Sequence, residues 1–191
     1  KLKDYDVKSY LMKECSDLLP PLNFWDKGEY SLDDWQKNVI NLIKNKESVL
    51  VRAPTSSGKT FVAMATGILH KKILYVCPAK PVAFQVGANF IKMGYRVHYL
   101  VENMGHLSYD DKTNIFIGTP EIIEQYLPRI YTQFDYAVFD EIHNLNDMIQ
   151  YENIIKLLKC SFLALSATIE NISFLKDIFM KIHSEKRIEY V

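Results

Sequence analysis

The chain has 191 residues, 48% hydrophobic and 24% charged, a length and composition that sustain a core without disulfides or metals and argue against disorder. Its 23 Lys and Arg balance 23 Asp and Glu, which excludes a polybasic tail for nucleic acid or membrane as the main mode of action but leaves room for a local basic groove. Apolar runs such as Phe162-Leu163-Ala164-Leu165 fall far short of the roughly 20 residues of a membrane helix, so no membrane partner is expected.

The charged N-terminus, Lys1-Leu2-Lys3-Asp4-Tyr5, has no signal-peptide core and no initiator Met, and reads as the start of a piece excised from a longer protein. Cys15, Cys77 and Cys160 form no C-x-x-C pair, which speaks against zinc and thioredoxin-type chemistry. Cys77 and Cys160 adjoin apolar runs and read as reduced structural thiols, in keeping with an intracellular, cytoplasmic setting.

Leu19-Pro20-Pro21-Leu22 is the clearest break. Before it, Val7, Leu11, Met12 and Leu18 suit one side of a short helix; after it, Phe24 and Trp25 suit anchoring onto a main domain. Residues 1–30 therefore read as an N-terminal extension and 31–191 as the domain. Val39, Ile40 and Ile43 give Gln36 to Lys44 a helical spacing. Ser48 to Val51 reads as a buried strand, and Thr60 to Leu69 as a helix. Strands are predicted at Ile73 to Cys77, Arg96 to Leu100, Ile115 to Gly118, Tyr136 to Phe139 and Ser161 to Leu165, with a helix running through Phe90 and Ile91. Short strands alternating with helices imply an α/β fold, a mostly parallel sheet with helices on both faces. In such sheets ligands bind beyond the carboxyl ends of the strands.

Ala53-Pro54-Thr55-Ser56-Ser57-Gly58-Lys59-Thr60 follows the first strand and opens a helix. It is the P-loop pattern with Ala53 in place of the first glycine. Gly58 lets the backbone approach a phosphate, and the N–H groups of Thr55, Ser56, Ser57 and Gly58 at a helix start attract the anion. Lys59 supplies a charge to the β- and γ-phosphates of ATP, and the Thr60 hydroxyl suits Mg²⁺. The fifth strand runs into Asp140-Glu141-Ile142-His143. In a P-loop enzyme the first acid, Asp140, helps hold Mg²⁺ and the second, Glu141, activates the attacking water. Adjacent strand residues point to opposite sides, so the acids need not share one job.

Ala53 to Thr60, Asp140 to His143 and Ser166-Ala167-Thr168 together resemble motifs I, II and III of superfamily 2 helicases. The D-E-x-H form resembles the DExH branch, and Phe162 to Thr168 with the Ala53 to Thr60 loop resemble the superkiller-type RNA helicases, especially their antiviral relatives. The resemblance covers about residues 30 to 180. It implies a P-loop NTPase domain, the first of two RecA-like lobes, that couples ATP hydrolysis to the binding and unwinding of RNA.

Further positions follow from the resemblance alone. Tyr30 to Gln36 is similar to the Q-motif region, with Gln36 on the adenine edge and Tyr30 stacked on the base or packed beside it. Pro78 to Gln85 is similar to motif Ia, which implies a backbone contact at Lys80 and Gln85 on single-stranded nucleic acid, although proline at 81 departs from the family habit. Gly118-Thr119-Pro120-Glu121 is similar to motif Ib, with Thr119 near a phosphate or as a helix N-cap before Pro120. His143, Ser166 and Thr168 would couple the ATP site to the nucleic-acid path. A second lobe supplying arginine fingers is implied, since Arg52, Arg96, Arg129 and Arg187 fit no such motif. A finger is worth about 10³ to 10⁵ in rate, so this fragment alone is expected to hydrolyse ATP barely or not at all. Arg187 to Val191 would enter the linker or the first strand of that lobe. The alternatives are a DNA helicase or translocase of the same superfamily, and a non-processive nucleic-acid sensor module.

Overall fold

Local chemistry starts the first helix: Gln36 Oε1 accepts the Asp33 backbone N–H at 3.1 Å, closing a capping box at the head of α1 (Asp34–Lys44). The computed structural model describes residues 32–54, 57–103, 109–130, 133–142, 148–167 and 188–191. The N-terminal extension with its helix and its Phe24 and Trp25 anchors, and Tyr30, Thr55, Ser56, His143 and Thr168, lie outside the described residues.

In chain order there follow β1 (Ser48–Arg52), α2 (Lys59–Leu69), β2 (Ile73–Val76), α3 (Lys80–Lys92), β3 (Val97–Leu100), β4 (Ile115–Gly118), α4 (Pro120–Tyr126), a 3₁₀ turn (Leu127–Arg129), β5 (Tyr136–Phe139), α5 (Met148–Leu157), β6 (Ser161–Ser166) and β7 (Ile188–Tyr190). The strands form one sheet in the order β3-β4-β2-β5-β6-β1-β7. Every pairing in it is parallel.

Parallel strands covered on both faces are apolar throughout rather than alternating. β2, β4 and β5 are buried at every position. Val39, Val62, Tyr75, Val138 and Leu163 pack on one face beneath α1, α2 and α3. Leu74, Phe139, Phe162, Ile123 and Tyr151 pack on the other beneath α4 and α5. Gly118 is required at the end of β4, because a Cβ there would stand 2.0 Å from the Leu100 carbonyl oxygen.

The six expected strands are all present, to within a residue at either end. The seventh is a correction. Ile188–Tyr190, expected in a linker or in the first strand of a second lobe, pairs instead with β1 of this sheet, and the ladder runs on through Arg52 N–H to Val191 O at 2.8 Å. β1 would otherwise expose an unpaired edge, and three residues are too few to carry a readable period.

Candidate active site

The strand order sets the site. β5, β6 and β1 are neighbours, so the segments leaving their carboxyl ends meet along one rim. β1 leads into Ala53, β5 into Asp140, and β6 ends at Ser166. The Ala53 N–H donates to the Ser166 carbonyl at 3.2 Å, and the Ile142 N–H donates to the Leu165 carbonyl at 3.0 Å. The end of β6 is thus bonded to both flanking segments, and Ser166 is fully buried there.

The loop after β1 is folded tightly on itself. Ser57 Oγ donates to the Pro54 carbonyl at 2.7 Å. Gly58 has φ 87, a left-handed conformation that suits glycine, and caps α2. Lys59 is 7% exposed, and its Nζ donates to the carbonyls of Ala53 at 2.7 Å and Pro54 at 3.1 Å. A buried ammonium must find acceptors, and here its own loop supplies them. Thr60, one residue on, is exposed. Gln36 closes the loop from outside: its Nε2 donates to the Ser57 carbonyl at 3.1 Å while Oε1 holds Asp33. The carboxamide expected on a base edge therefore engages the loop backbone in this structure.

Asp140 and Glu141 do not continue the strand as alternating neighbours. β5 ends at Phe139, the Asp140 N–H still donates to the Val76 carbonyl at 2.9 Å, and Glu141 then turns with φ 51. Burial pushes the Asp140 carboxyl up to about 6, and the Glu141 charge adds to that rise. The Lys59 ammonium, the Glu141 N–H and the Tyr75 hydroxyl work the other way. The Lys59 ammonium is thus near enough across the rim for its charge to favour the ionised Asp140. Tyr75 donates to Asp140 Oδ2 at 3.5 Å and Tyr151 to the Asp140 carbonyl at 3.3 Å. Neither tyrosine belongs to a motif singled out in the sequence; a phenol inside an otherwise aliphatic strand is the signal that points to Tyr75. Cys77 is fully buried as expected of a structural thiol, while Cys160 is only partly buried.

The remaining predicted residues lie on the other half of the sheet, where β2 and β4 are neighbours and the Cys77 N–H donates to the Gly118 carbonyl at 2.8 Å. Lys80 opens α3, with Nζ donating to the Glu102 carbonyl at 2.8 Å and standing 5.9 Å from the Phe84 ring centroid. Gln85 is exposed on the same helix. Thr119 is the N-cap residue of α4 with Pro120 first in the helix, though its side chain makes no cap bond. The structure thus separates two groups: Lys59, Asp140, Glu141 and Ser166 along β5-β6-β1, and Lys80, Gln85 and Thr119 along β2-β4.

Residues 33–175 match the DEAD/DEAH box helicase family. The ATP-dependent RNA helicase mtr4 of Schizosaccharomyces pombe is 31% identical over 82% of this chain and 15% of its own length. The antiviral helicase SKI2 of Saccharomyces cerevisiae is 29% identical over 85% of this chain and 13% of its own. This chain therefore spans a small part of the curated relatives it matches. Among solved structures, the helicase MrfA bound to DNA shares the fold, with a TM-score of 0.71, 19% identity, and coverage of 94% of this chain and 29% of that one.

Proposed function

We propose, from the premise that this chain belongs to the DEAD/DEAH box helicase family as a first RecA-like domain of the superkiller-type DExH branch, that it is the ATP-binding lobe of an ATP-dependent RNA helicase. The observation that carries this reading is the shared rim: the segments that lead to buried Lys59 and to Asp140 are both bonded to the end of β6, beside the left-handed Gly58.

The residues present fit ATP and Mg²⁺. The N–H groups of Ser57 and Gly58, just before α2, suit phosphate oxygens, and Thr55 and Ser56 are assigned the same role from the sequence pattern alone. Lys59, now held by the Ala53 and Pro54 carbonyls, would exchange those acceptors for phosphate. Thr60 and Asp140 offer one hydroxyl and one carboxylate, a donor set suited to a Mg²⁺ shared with phosphates. Bound MgATP supplies the phosphoryl group to be transferred and the metal charge that offsets its oxygens. Glu141 takes the role of base toward water, and Ser166 with His143 and Thr168 that of the link to the strand-binding side. Lys80, Gln85 and Thr119 are assigned to the phosphates of a single strand, with few directed contacts, as the balanced charge favours.

RNA is assigned because the names of mtr4 and other matched relatives specify it. A second lobe is assigned to complete the ATP site. No helix of the described residues is long and apolar enough to cross a membrane. We place the protein in the cytoplasm, where Cys77 and Cys160 stay reduced.

The test is turnover and unwinding by the full-length protein with single-stranded RNA and DNA in competition. ATPase stimulation by RNA, abolished in Glu141→Gln with nucleotide binding retained, is the expected result. Stimulation by DNA alone would move the protein to the DNA translocases, and nucleotide binding without unwinding would make it a sensor module.

A further inference from the structure

We infer, on the strength of the roles proposed for Asp140 and Glu141, that Tyr75 and Tyr151 are positioning residues that grip the Asp140–Glu141 turn from opposite faces of the sheet. Tyr75 lies mid-strand in β2, paired in register with Val138, and its side chain joins the cluster beneath α1, α2 and α3. Tyr151 rises from α5 into the cluster on the other face. Both rings are buried, at 0% and 1% exposure. Each is fixed by an edge-to-face partner: Phe90 for Tyr75 at 6.2 Å and Phe139 for Tyr151 at 6.0 Å.

The two hydroxyls reach different parts of one residue. The Tyr75 hydroxyl donates to Oδ2 of the Asp140 carboxylate at 3.5 Å. A buried phenol needs a partner, and Asp140 Oδ2 is the acceptor this one faces. The Tyr151 hydroxyl donates to the Asp140 carbonyl at 3.3 Å. That carbonyl belongs to the peptide plane on which the Glu141 torsion turns. Glu141 holds φ 51, a conformation an L-residue keeps only when its surroundings enforce it. On the far side, Ile142 N–H is fixed to the Leu165 carbonyl at 3.0 Å. Tyr75 therefore orients the metal-holding carboxylate, and Tyr151 orients the backbone from which the base projects. Residues that orient a metal ligand from behind are commonly worth about ten- to a hundredfold in metal affinity or activity.

The experiment compares Tyr75→Phe, Tyr151→Phe and Glu141→Gln in the full-length protein, since phenylalanine keeps each ring and removes only its oxygen. Tyr75→Phe should raise, by about tenfold, the Mg²⁺ concentration needed for half-maximal binding of a fluorescent ADP analogue. Tyr151→Phe should lower kcat by about tenfold while KM for ATP and binding of the ADP analogue stay unchanged. Wild-type Mg²⁺ dependence and wild-type kcat, in a background where Glu141→Gln is inactive, would overturn the grip and leave the ATPase reading standing. Loss of ADP-analogue binding in Tyr151→Phe would also overturn it, because the role would then be structural. Full turnover by Glu141→Gln would remove the base itself and the grip with it.

Discussion

The Gln36 amide donates to the carbonyl of Ser57, 21 residues away, at 3.1 Å, while its own oxygen caps the helix at Asp33. One side chain thus ties the start of α1 to the phosphate loop. Gln36→Ala removes both bonds. The expected cost is about 1 to 2 kcal/mol of stability, together with weaker binding of ATP and of GTP alike, because the loop is loosened whichever base is offered. Calorimetric titration of the two nucleotides checks this, and any extra loss confined to ATP measures a contact to adenine.

Gly58 meets the same amide from the other side. Its φ of 87 favours glycine, and a Cβ would stand 2.5 Å from Gln36 Nε2. Gly58→Ala should therefore both strain the backbone and push Gln36 away, at a cost of about 1 to 2 kcal/mol. Nucleotide affinity and the urea midpoint should fall together. Adding Gln36→Ala should restore part of the stability and none of the affinity.

Asp140 carries a cost in the nucleotide-free protein. Its folded carboxyl is raised from 3.8 to about 6, so the folded state binds the proton more tightly than the unfolded chain. Stability then declines as pH rises from about 4 to 6 and the penalty is complete above that window. Asp140→Asn should be more stable than wild type at pH 7.5 by roughly 2 kcal/mol without nucleotide or metal. The advantage should vanish at pH 4, and ATPase activity of the full-length variant should be lost. Urea unfolding at the two pH values measures the first effect.

His70 has the opposite sign. It ends α2, bonds the Ile43 carbonyl at 3.0 Å and stacks on Tyr136 at 4.8 Å. Burial lowers its pKa below 6.5, with Lys46 also lowering it and the Ile43 carbonyl and Asp135 opposing. The unfolded chain thus takes up a proton that the folded protein resists, and stability falls as pH drops below about 6.5. His70→Phe keeps a ring against Tyr136 and should flatten that part of the profile while lowering stability at pH 7.5. Melting curves between pH 7.5 and 5.5 are the measurement.

How much of this was legible beforehand follows the range of the interactions. The buried strands announced themselves because parallel strands covered on both faces must be apolar along their length, as Tyr136 to Phe139 and Ile115 to Gly118 are. The short seventh strand did not, because its place depends on an open edge of β1. Lys59, Thr60, Asp140 and Glu141 stood out because phosphate and metal chemistry demands those side chains at those spacings.

Sequence by itself determined the class of fold and the chemistry available at its rim, since both follow from local pattern and residue type. Only the tertiary structure decided which strand ends are neighbours, that Gln36, expected on an adenine edge, braces the loop backbone, and that tyrosines from two layers meet at Asp140. The three side-chain bonds join residues 11 to 65 positions apart, and no periodicity along a chain records which distant segments the packing of a sheet will bring together.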